Sequence, residues 1–102
     1  NLIHNMITLN KLAEKCFQIA LRRGKINLYT SRRAIINDIS TEWRELSNAE
    51  KKQSNHIPQY TEQEEEAADV IIATMTFLHK IGCKDIEQLI KDKITFNDHR
   101  TD

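Results

Sequence analysis

The chain holds only 2 Gly and 1 Pro in 102 residues. Average usage would supply roughly 7 and 5. Sheets depend on frequent tight turns, and tight turns depend on the backbone freedom of Gly and the fixed φ of Pro. Their scarcity favours long helices with few connections, an all-α fold. Apolar residues make up 39% of the chain and charged ones 29%, which suits one modest core and a single domain over residues 1–102. No apolar run approaches the roughly 20 residues of a membrane-spanning helix. No basic segment followed by an apolar one stands at the N-terminus. The expectation is a cytoplasmic protein with no membrane partner.

Apolar spacing places four helices. Leu2, Met6, Leu9, Ala13, Cys16 and Ala20 recur at intervals of three and four, predicting one long amphipathic helix that stops at Gly24. A second helix is expected behind Ser31 as N-cap, with Ile35, Ile39 and Leu46 on one stripe and Trp43 beside it, expected in the core. It fades into the polar stretch around Asn55 and Pro58. Thr61 and Glu64 have the spacing of a capping box. The apolar run Ala67, Val70, Ile71, Met75 and Leu78 behind them predicts the most buried helix, ended by Gly82. Asp85 is expected to cap a fourth helix running out near Arg100. The expected architecture is an antiparallel four-helix bundle-like domain, with the turn at Gly82 equally able to set the last two helices at an angle. Ile35 with Ile36, and Val70 with Ile71 and Ile72, put apolar residues on more than one face. One small bundle cannot bury them all, which favours a homodimer or homotetramer.

Several chemistries are disfavoured. Cys16 and Cys83 form no CxxC pair and are expected reduced and buried. His4, His56, His79 and His99 are scattered without an HxxxH or ExxH spacing, which gives a histidine-based metal site little support. Arg22, Arg23, Lys25, Arg32 and Arg33 form a run of cations with no acid between them. With 15 basic and 15 acidic residues in all, a solvated patch is preferred to nucleic-acid recognition. A contribution of these cations to an anion site across a dimer interface stays open.

The acidic residues are more informative. Glu42 and Glu45 lie one helical turn apart, and so do Glu66 and Asp69. In a bundle the two pairs can converge. Four converging carboxylates repel unless they are protonated or neutralised by a hard divalent cation such as Mg²⁺. A solvated helical face is the competing reading for either pair alone, because glutamates near a helix start are favoured by the dipole. Asp69 argues against it, being a poor helix former embedded among Ala67, Ala68, Val70, Ile71 and Ile72. Asp38, one turn before Glu42, either extends the acidic face or is plain surface.

The run Glu42-Trp43-Arg44-Glu45, a gap of 20 residues, and then Glu66-Ala67-Ala68-Asp69 resembles the ExxE…ExxD signature of the MazG-type all-α nucleoside triphosphate pyrophosphohydrolases. Lys93, Asn97 and Arg100 match the spacing of that family's downstream Lys, Asn and basic residue. The resemblance implies Mg²⁺-dependent hydrolysis of a nucleoside triphosphate between the α and β phosphates, with Mn²⁺ as a substitute ion. It assigns Glu42, Glu45, Glu66 and Asp69 to the metal, and Glu42 or Glu45 to the proton of the attacking water. Lys93, Asn97 and Arg100 would meet the substrate. His4, Asn5 and Asn10 are the polar candidates for base contacts on the first helix, and Trp43 is a candidate for stacking. A non-catalytic helical dimerisation or regulatory module is the alternative, although it leaves Asp69 unexplained.

Overall fold

The structure, a computed structural model, describes residues 7–101. The described residues form four helices: α1 (Leu9–Arg22), α2 (Arg32–Ser47), α3 (Glu62–Lys80) and α4 (Ile86–Asp98). The described residues contain no strand, only an isolated antiparallel bridge between Gln53 and Thr61. No helix among them is long and apolar enough to cross a membrane.

Short-range chemistry sets the helix ends. The side chains of Thr8, Ser31, Thr61 and Asp85 each accept a hydrogen bond from the backbone N–H three residues on, which satisfies donors the helix itself leaves free. Both halves of the capping box at Thr61 and Glu64 are made. Gly24 and Gly82 have φ of 73° and 83°, the left-handed geometry that lets the chain leave α1 and α3. The first helix starts later than its apolar stripe suggests. Ile7 and Thr8 are not helical, because the Thr8 hydroxyl takes the N–H of Lys11 and opens α1 at Leu9. Leu2 and Met6 lie outside the described residues.

α3 is the central helix, packed against both α1 and α2. Ala13, Met75 and Ile86 form a buried cluster, with Leu9, Cys16, Leu78 and Cys83 against it. Ile35, 1% exposed, anchors α2. The expected burial is corrected at two places. Trp43 is 61% exposed and Ile71 57%, because α3 contacts its neighbours through the face carrying Met75 and Thr76, and α2 through the face carrying Ile35. Cys16 and Cys83 are free thiols, only partly buried.

α4 packs on α1 and α3 and not on α2. It is held by its first turn through reciprocal capping. Asn10 Oδ1 accepts from the backbone N–H of Ile86 and Glu87, Asn10 Nδ2 donates to Asp85, and Glu87 accepts from the N–H of Leu9. Past that anchor, every residue from Lys91 to Thr101 is exposed. Asn10 therefore has a structural task. Asn10→Ala strands two donors at the start of α4 and is expected to cost about 1–3 kcal/mol in denaturant unfolding, with the response to Mg²⁺ unchanged.

Candidate metal centre

α2 and α3 lie side by side, and their acidic turns meet. Glu42, Glu45 and Glu66 each offer an oxygen within 4.8 Å of the others, and Glu65, Glu66 and Asp69 do the same. Glu66 is common to both groups. Its Oε2 is buried and has no hydrogen-bond partner. A buried carboxylate oxygen without a donor is costly, and its nearest charged neighbours are other carboxylates.

The electrostatics follow from that crowding. Burial first, then a hydrogen bond shared with Glu45 and the charges of Glu45 and Asp69, push Glu42 up to about 7, with Lys25 opposing. Asp69 is raised by burial and by the charges of Glu65 and Glu45, again against Lys25. Glu66 is raised by burial and by Asp69, Glu45, Glu65 and Glu62. The donor set is entirely carboxylate oxygen, which fits a hard cation such as Mg²⁺ or Mn²⁺ and suits softer metals poorly.

Glu42 and Asp69 also face a cleft of about 220 Å³ between α1, α2 and α3. Ile19, Ile26, Ile35 and Ile72 give it an apolar wall, and Asp38 lies on its acidic side beside Glu42. Arg23 and Lys25 line the same cleft. Both belong to the cationic run of the sequence, and the turn at Gly24 brings Lys25 towards Glu42 and Asp69.

The structure thus brings Glu42, Glu45, Glu66 and Asp69 together. Lys93 and Asn97, exposed on α4, and Arg100, exposed just past its end, lie away from the cleft lining. Lys93 Nζ sits 4.4 Å from the Phe96 ring centroid and Arg100 sits 5.9 Å from it. Asn10 is committed to α4, while His4 and Asn5 lie outside the described residues. Three residues join the site that spacing did not single out: Ser54, His56 and Glu65. Ser54 Oγ donates to one Glu65 oxygen at 2.5 Å, and His56 Nδ1 pairs with the other at 2.7 Å. The only hint of them in the sequence is the run Glu64-Glu65-Glu66 behind a polar loop. Compared with protein-family models, curated proteins and solved structures, the chain finds no match.

Raised carboxyl pKa values make the cluster a measurable liability. Glu42, Glu66 and Asp69 hold protons more tightly folded than unfolded, so their favourable contribution is full below the ordinary carboxylate range near 4.5 and is lost as pH rises towards 7. His56, raised by its pairing with Glu65, adds a loss in the same direction above its ordinary value. Glu64, Glu65 and Asp85 are lowered by hydrogen bonds they accept, so their contribution is lost at more acid pH, as pH falls below the carboxylate range. Without divalent cations the melting temperature is expected to fall between pH 5 and about 8. Glu42→Gln should flatten that fall and raise the midpoint at the alkaline end by several degrees. An unchanged profile in Glu42→Gln would count against a strained carboxylate at this position.

Proposed function

We propose that the chain is a Mg²⁺-dependent nucleoside triphosphate pyrophosphohydrolase, cleaving between the α and β phosphates to give the monophosphate and pyrophosphate. The observation that carries this reading is the buried, unpartnered Oε2 of Glu66 at the point where acidic turns of α2 and α3 converge. A purely structural helical module has no use for that arrangement.

Bound at this cluster, Mg²⁺ would neutralise the phosphates and polarise the attacked phosphorus. Glu45, Glu66 and Asp69 would hold the ion, with Glu42, whose oxygen lies within 4.8 Å of those of Glu45 and Glu66, beside them. Of the two candidate proton acceptors, Glu42 is the one that lines the cleft, which places it better than Glu45 to take the proton of the attacking water. The apolar wall suits a flat base, and Arg23 and Lys25 at the same cleft suit the phosphate chain. Lys93, Asn97 and Arg100 line no part of this cleft, so in this reading they would meet the substrate of a second copy.

A homo-oligomer belongs to the same reading. Leu89, Ile90, Ile94 and Phe96 on α4 are exposed apolar residues available to it.

Pyrophosphate release measured across the ribo- and deoxynucleoside triphosphates with Mg²⁺ tests the activity and identifies the base together; no release from any of them contradicts the reading. Thermal melting provides the binding control. Millimolar Mg²⁺ should raise the midpoint of the wild type and leave Glu66→Ala and Asp69→Ala unmoved.

A further inference from the structure

Between α2 and α3 the chain forms a compact loop, residues 48–61, fastened along the start of α3. Ser54 N–H donates to Tyr60 O, Gln53 Nε2 donates to Pro58 O, and Glu50 N–H donates to Glu62 Oε1. Ser54 is the pivot. It is 3% exposed, its Oγ donates to Glu65 Oε1, and the same Oγ accepts from the backbone N–H of His56 and Ile57. The backbone that carries His56 is therefore tied to the hydroxyl that fixes Glu65.

The imidazole is tied as well. Its Nδ1 lies 2.7 Å from Glu65 Oε2, while the side chain is 83% exposed. Nε2 has no hydrogen-bond partner among the described residues. The carboxylate accepts the Nδ1 proton and orients the ring, so Nε2 is the open nitrogen, a donor in the imidazolium form that the pairing with Glu65 favours. Ser54 and His56 each engage one Glu65 oxygen, so the carboxylate that orients the histidine is itself held in place. Glu65 also stands within 4.8 Å of Glu66 and Asp69 oxygens. His56 is thus the next group out from the metal carboxylates, on the α3 side, while Lys25 approaches Glu42 and Asp69 from the cleft.

We propose that His56 is a phosphate-binding residue of this site. Oriented by Glu65 and Ser54, it donates from Nε2 to the β and γ phosphates that depart as pyrophosphate. The inference rests on the hydrolase reading above and deepens it by naming a group that receives the leaving portion. Ser54 and Glu65 are positioning residues. A cation is apt there, since phosphate oxygens that share a divalent ion with carboxylates still carry charge facing away from the ion.

The test is calorimetric titration of inorganic pyrophosphate into protein saturated with Mg²⁺, in the wild type, His56→Ala, His56→Arg and Ser54→Ala. His56→Ala is expected to weaken binding on the order of tenfold or more, with His56→Arg recovering part of the loss because it restores a cationic donor. Ser54→Ala should weaken it less. In turnover, KM should rise with kcat nearly constant, as for a contact kept from ground state to transition state. A merely structural loop predicts equal loss in His56→Ala and His56→Arg, following their melting temperatures, and that result overturns the inference. So does a His56→Ala protein that binds pyrophosphate as the wild type does. A wild type that binds no pyrophosphate in Mg²⁺ also overturns it, whereas the hydrolase reading stands or falls separately on pyrophosphate release.

Discussion

The packing of α3 along α2 is the constraint on which the site depends. Each helix carries two carboxylates one turn apart, and the interface that buries Ile35 on one helix turns both acidic pairs to the same seam. Burial and mutual repulsion act together there. They raise Glu42, Glu66 and Asp69 and leave one oxygen of Glu66 without any donor. A protein selected only for stability would replace such a cluster with apolar residues of similar volume. Its presence at the central seam of a small fold is intelligible if a cation completes it.

The remainder of the molecule offsets that cost with local devices. Four side-chain N-caps, two left-handed glycines and the reciprocal link between Asn10, Asp85 and Glu87 hold the helices where the core alone is thin. Among the described residues the buried apolar set is small: Ala13, Ile26, Ile35, Met75 and Ile86. Much apolar surface on α4 and on the outer face of α3 stays exposed. The long loop before α3 has a second use, as the support that fixes His56 and Glu65 at the edge of the carboxylates.

Features decided within a few residues were legible in the sequence. Ser31, Thr61 and Asp85 cap the helices expected of them, and Gly24 and Gly82 end α1 and α3, because a cap or a left-handed turn is a local event. The four carboxylates were legible because helical periodicity alone aligns each pair. Distant partners were not. Asn10 meets Asp85 75 residues away, so nothing near it reveals that it caps α4 and is unavailable to a ligand. Trp43 and Ile71 sit on apolar stripes but on faces that no neighbouring helix covers, and a stripe does not say which of its edges is used. Ser54 and His56 lie in a loop without periodicity, and their link to Glu65 exists only once the loop folds back on α3. The placement of Lys25 at the cleft likewise depends on the direction the chain takes after Gly24.

The most direct test of the account is to locate the cation. Mn²⁺, with the same preference for oxygen ligands as Mg²⁺ and a usable anomalous signal, can be placed by diffraction from crystals grown or soaked with it. The account predicts an anomalous peak between α2 and α3, with Glu66 Oε2 and carboxylate oxygens of Glu45 and Asp69 at bonding distance and Glu65 still held by Ser54 and His56. A protein that crystallises with Mn²⁺ present and shows no density between those side chains, or binds it only at scattered surface carboxylates, would contradict it.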